Sequence, residues 1–103
     1  MFTFIETRLF SRIVGGYLSD EEYGAMQSRL AANAELGSVV PGTGGVRKLR
    51  WSQPGRGKRG GVRVIYYVKR ADRVIWMLTI HAKNEAGNVA PNVLRAIKEE
   101  IDD

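Results

Sequence analysis

Cysteine is absent from this chain, and histidine occurs once, at position 81. The first absence removes disulfides, thiolate metal sites and cysteine nucleophiles from consideration. The second rules out a cluster of histidines around a metal. Acidic residues are missing from one long stretch: between residues 36 and 71 there is no Asp or Glu. No apolar run approaches the roughly 20 residues that a membrane-spanning helix needs. The opening MFTFIETRLFSRIV breaks its apolar character with Glu6, Thr7 and Arg8. It lacks the basic start and long apolar centre of a secretory leader. None of the four Asn residues is followed by x-Ser/Thr, so there is no N-glycosylation acceptor. No internal repeat is visible. These absences lead to the expectation of a cytoplasmic protein that has no business with membranes.

What is present has the composition of an ordinary globular domain, 44% hydrophobic and 26% charged. At 103 residues the chain is expected to form one domain, residues 1–103. The acid-free stretch holds Arg47, Lys48, Arg50, Arg56, Lys58, Arg59, Arg63, Lys69 and Arg70. That is nine cations on a chain whose formal net charge is only +5, so the remainder is net acidic. Clustered positive charge on a mildly acidic body is the electrostatic footprint of a polyanion binder. RNA, DNA and an acidic protein segment all meet that description, and RNA is the expected partner.

Periodicity supplies an α+β fold. Residues 2–5 are aromatic and β-branched and read as a first strand. Thr7 caps a helix over 8–18, with Leu9, Phe10, Ile13, Val14 and Tyr17 on one face; Gly15 and Gly16 keep it short or frayed. Ser19 and Glu22 form a capping box for a second helix, which runs to about Leu36 with Gly37 past its end. Strands follow over 46–51, 62–69 and 74–82, the first two joined by a polar loop over 52–61. Pro91 opens a last helix over 91–101 with Leu94, Ile97 and Ile101 as its stripe. The expected order is β-α-α-β-β-β-α, an antiparallel sheet with helices on one face. Strict alternation then puts Trp51, Val64, Tyr66, Trp76, Leu78 and Ile80 under the helices. It collects Lys48, Arg50, Arg63, His81 and Lys83 on an open cationic face.

Several motifs are weaker than they look. GRGKRGG and GTGGVRK do not supply the G-x-x-x-x-G-K-[ST] spacing of a phosphate loop. The Gly-rich region reads instead as a flexible hairpin loop, of a kind that can still touch a phosphate backbone with Lys58 and Arg59. A lone histidine is ordinarily structural, but His81 shares a strand face with Arg63, and a neutral imidazole takes or gives a proton near pH 7. Only Glu85 is near enough in sequence to join that cluster, which argues against a Ser-His-Asp system or paired-carboxylate hydrolysis. Like charges side by side on a sheet are unfavourable without a counter-charge, which again points to an anionic partner. Tyr67, on the same expected face, is either packed among Arg and Lys stems or free to stack on a base.

The segments GGVRKLRW, GRGKRGGVRVIYYV and LTIHAKNE together resemble the RelE/ParE superfamily of type II toxin–antitoxin toxins, and most closely its HigB-type branch. The resemblance implies the RelE-like fold just described. It implies a small, metal-independent endoribonuclease without cofactors that cuts mRNA on the ribosome and so blocks translation. In such enzymes the RNA 2′-hydroxyl attacks the adjacent phosphate, leaving a 2′,3′-cyclic phosphate and a 5′-hydroxyl. The family's basic pair falls on Lys48 and Arg50, and its third-strand arginine on Arg63. His81 and Lys83 close the strand, with Asn84 where RelE itself has an arginine. Lys48, Arg50, Arg63, His81 and Lys83 are thus the expected catalytic set. Arg47, Arg56, Lys58, Arg59, Tyr67 and Asn84 are the expected RNA contacts. RelE's C-terminal catalytic tyrosine has no counterpart, since Val89 and Ala90 occupy that neighbourhood. Implied partners are a cognate antitoxin of helix-turn-helix type, mRNA and the ribosome, and operator DNA only through the antitoxin complex. A ParE-like gyrase poison and a catalytically inactive RNA-binding relative are the competing readings.

Overall fold

The computed structural model describes residues 1–52, 61–83, 85 and 89–103. Strand β1 (Thr3–Glu6) leads into helix α1 (Arg8–Ile13), which tightens into a single 3-10 turn at Val14–Gly16 where the two glycines sit. Thr7 caps α1 by accepting from Phe10 N at 3.1 Å, and its hydroxyl donates to Leu78 O at 2.8 Å, tying the helix start to the sheet. Helix α2 (Asp20–Ala32) begins at the expected box: Ser19 Oγ accepts from Glu22 N, and the Glu22 carboxylate accepts from Ser19 N. It ends earlier than the sequence suggests. Asn33 leaves the helical region and its Oδ1 accepts from Glu35 N at 3.1 Å, an Asx turn that stops the helix.

Gly37 is consequently not a cap. It lies buried where a Cβ would meet Lys48 O at 2.8 Å and the Tyr66 ring at 2.9 Å, so only glycine lets the chain cross there. Tyr66, fully buried, accepts from Gly37 N and donates to Ala34 O, both at 2.8 Å.

The chain then lays down β2 (Ser38–Val39), β3 (Arg47–Trp51), β4 (Val62–Lys69), β5 (Val74–Ala82) and α3 (Pro91–Asp102). The α+β class and the expected order of helices and main strands are borne out, with a short extra edge strand. The sheet order is β1-β5-β4-β3-β2. Strands β2 to β5 are antiparallel neighbours, but β1 runs parallel to β5, so the sheet is mixed.

Two apolar clusters, one on each face, hold the sheet. On one face Phe10, Leu18, Met26 and Leu30 pack against Leu49, Val64, Tyr66, Ile75, Met77 and Ile80. On the other, Leu94, Ile97 and Ile101 of α3 pack against Val46, Ile65, Tyr67, Trp76 and Leu78. The third helix therefore covers part of the face that alternation alone leaves open. A shift in β5 decides which of its side chains meet that helix. Ile65 faces Thr79 and Tyr66 faces Met77, leaving Leu78 as an unmatched extra residue. A bulge of this kind resets the alternation. Ile75, Met77 and Ile80 share the α1/α2 side, whereas Trp76 and Leu78 turn to α3, correcting the expected grouping of Trp76, Leu78 and Ile80.

Candidate active site on the α3 face of the sheet

The bulge leaves the far end of the sheet in the expected register. Arg50 pairs with Arg63, and Arg63 with His81, so three strands place these residues in one cross-strand row. Their neighbours Leu49, Val62, Val64 and Ile80 point into the α1/α2 core, so the row lies on the opposite side, the side that carries α3. One step along β3, Lys48 stands on the same side, paired with Ile65. Ile65 and Thr79 are buried beside α3, while Lys48, Arg63 and His81 are half-buried and Arg50 is exposed. The cover thus ends where the cations begin. Lys83, exposed and one residue past β5, is held through its N–H to Gly61 O at 3.4 Å.

His81 has a defined hydrogen bond. Its Nδ1 lies 3.1 Å from Ala82 O. A carbonyl oxygen only accepts, so this contact is a hydrogen bond in the tautomer that carries its proton on Nδ1 and leaves the Nε2 lone pair free. Glu85 stands just beyond the strand; its carboxylate accepts from Ala82 N, and its two oxygens lie 2.8 and 3.0 Å from the Tyr17 Oη that donates to them. The Ala82 amide, then the Tyr17 hydroxyl, hold the Glu85 carboxyl below its ordinary range, with His81 contributing less. The hydrogen bond to Glu85 raises the Tyr17 phenol in turn.

Other expected site residues are placed elsewhere. Arg47 pairs with Tyr66, on the α1/α2 side, and its guanidinium donates to Gly37 O at 2.7 Å and Glu35 O at 3.4 Å. It closes the chain after α2. Tyr67 lies under α3 rather than on an open face. Its hydroxyl donates to Asp102 at 2.8 and 2.9 Å, and Lys98 Nζ sits 5.8 Å from its ring centroid. Burial, then the Asp102 contact, push its phenol up to about 12. Arg56, Lys58, Arg59 and Asn84 lie outside the described residues.

An open groove runs along the β2/β3 edge of the sheet, lined by Ala25 and Arg29 of α2, by Ser38 and Val39, and by Lys48, Arg50 and Trp51. The Arg29 guanidinium lies 5.8 Å from the Trp51 ring centroid, adding a cation that the sequence reading did not include. Tyr17 was likewise missed; nothing in its local spacing links it to a residue 68 positions later. Among the described residues no group of three His, Cys, Asp or Glu converges as a metal site would require, and no helix is long and apolar enough to cross a membrane.

What the row offers chemically is a pair of guanidinium groups for a phosphate and an imidazole nitrogen for a proton. A family model described as the RelE toxin of the RelE/RelB toxin–antitoxin system matches residues 6–101, nearly the whole chain. The chain therefore belongs to the RelE toxin family, the toxin partner of a toxin–antitoxin pair.

Proposed function

We propose that this toxin is a ribosome-dependent, metal-independent mRNA endonuclease acting in the cytoplasm, nearest the HigB-type branch. The observation that carries the reading is the cross-strand row Arg50–Arg63–His81, with Lys48 on the same face. In the reaction the 2′-oxygen bonds to phosphorus, the P–O5′ bond breaks, and a 2′,3′-cyclic phosphate and a 5′-hydroxyl result. Charge gathers on the phosphoryl oxygens in the transition state, and preorganised cations there are worth most. Arg63, at the centre of the row, takes that role, and Arg50 and Lys48 clamp the phosphate from β3. One proton leaves the 2′-hydroxyl and one arrives on the 5′-oxygen. His81 Nε2 and Lys48 Nζ are the groups on this face able to carry them, and Lys83 adds positive charge at the strand end. Arg56, Lys58, Arg59 and Asn84, which lie outside the described residues, are the further RNA contacts of this proposal. The cognate antitoxin is of helix-turn-helix type, and operator DNA is contacted only through the toxin–antitoxin complex.

The test is to map transcript 5′ ends after brief expression of wild type and Arg63→Ala. Wild type is expected to produce new 5′-hydroxyl ends within translated regions. The folded variant is expected to lose roughly 100- to 1000-fold in rate, the scale of deleting one transition-state donor. Intact transcripts with DNA-damage signalling would instead make the protein a gyrase poison. Salt-sensitive RNA binding without cleavage would make it an inactive relative.

A further inference from the structure

We propose that Tyr17 and Glu85 are positioning residues: together they latch the end of β5 so that His81 presents Nε2, as a bare lone pair, to the substrate. The inference rests on the nuclease reading above and names a device within that same site. Both polar groups of the Ala82 backbone are engaged. Its N–H donates to the Glu85 carboxylate, and its carbonyl accepts from Glu85 N at 3.2 Å and from His81 Nδ1 at 3.1 Å. The orientation of that carbonyl therefore sets the tautomer and the direction of the imidazole. What fixes the carbonyl is Glu85, and what fixes Glu85 from outside the turn is the Tyr17 hydroxyl.

Tyr17 is suited to this because its ring is anchored. It follows the 3-10 turn after α1 and packs against the core on the α1/α2 side, so only its hydroxyl reaches to the strand end. The latch thus joins two elements 68 residues apart at the one place where β5 gives way to the connection to α3. Free imidazole favours the opposite tautomer, with the proton on Nε2. A proton on Nε2 would present a donor, not an acceptor, to a 2′-hydroxyl. Holding Nδ1–H against Ala82 O removes that competition without any added group touching RNA. Tyr17 and Glu85 act through His81 and not on the reacting atoms.

The chain's single histidine makes the test clean. Long-range 15N–1H spectra of His81 in the neutral ring are expected to show Nδ1–H in wild type. Tyr17→Phe, which removes one hydroxyl and keeps the ring on the core, and Glu85→Ala are both expected to shift the signal towards Nε2–H. In single-turnover cleavage on programmed ribosomes, both variants should lose about 10-fold in the maximal rate with an unchanged half-saturating ribosome concentration. Glu85→Gln keeps an acceptor for Ala82 N and is expected to restore most of the rate. Nε2–H in wild type overturns the proposal. So do folded Tyr17→Phe and Glu85→Ala proteins that keep the wild-type spectrum and rate, or that lose activity only through weaker ribosome binding. A wild-type protein that cleaves nothing defeats the nuclease reading instead, and the tautomer spectra of the same three proteins then decide the latch by themselves.

Discussion

Replacing Arg50 by Gln should make the toxin more stable and less active. Arg50 and Arg63 are directly opposed on adjacent strands, and His81 completes the row. Like charges facing each other across a sheet cost about 0.2–1 kcal/mol. Arg50 is exposed, so water screens the repulsion and the lower half of that range applies. For a domain of this size the gain corresponds to a rise in Tm of roughly 1–4 °C. The origin is electrostatic, so the gain should fade with salt: the Debye length is about 10 Å at 0.1 M and about 3 Å at 1 M. Urea titrations of wild type and Arg50→Gln at both ionic strengths, beside the cleavage assay, give the answer. The expected pattern is a stability gain confined to low salt with cleavage down roughly 10- to 100-fold. A variant less stable than wild type at low salt would refute the repulsion argument, and wild-type cleavage would remove Arg50 from the phosphate site.

Three further outcomes follow from the packing. Gly61→Ala should be the most damaging glycine substitution near the site, costing on the order of 2–4 kcal/mol: φ is +65° and a Cβ would fall 2.0 Å from Trp51 O. The urea midpoint measures it. Tyr66→Phe should cost roughly 2–3 kcal/mol, a fall in Tm of about 10–20 °C, because it leaves the buried Gly37 N–H and Ala34 C=O without their shared partner. Tyr67 gives an alkaline signature: its phenol is raised from 10.0 to about 12 in the fold, so the stability it contributes is complete below pH 10 and is lost as pH rises towards 12. Over that window Tyr67→Phe should lose less stability than wild type in denaturant titrations.

The parts of the fold legible in the sequence are those set by short-range chemistry. Thr7, Ser19 and Glu22 act as caps where their spacing says they do, since a cap depends on residues three positions away. The strands form where β-branched and aromatic residues alternate. What alternation does not reveal is the bulge at Leu78, because an unmatched residue is a property of a strand pair and not of one strand. That single residue turns Trp76 and Leu78, in place of Ile75 and Met77, towards α3. Gly37 hides its role for a similar reason. Its local sequence looks like a helix terminus, whereas its constraint comes from Lys48 and Tyr66, far along the chain.

The same distinction sorts the cations of the acid-free stretch. Composition makes them equivalent; the acceptor each one finds does not. The Arg47 guanidinium donates to Gly37 O, Lys69 Nζ to Ile101 O, and Arg70 to the Glu35 carboxylate at 2.7 Å. These three fasten chain segments together, and a phosphate at any of them would have to displace a protein oxygen. Arg50 has no such acceptor among the described residues, yet it is set against Arg63 in the row. Arg50 is exposed, so water screens its charge opposite Arg63, and an anion settling beside it would add a favourable interaction. The exposure of Arg50, more than the local density of positive charge, is what points to an anion there.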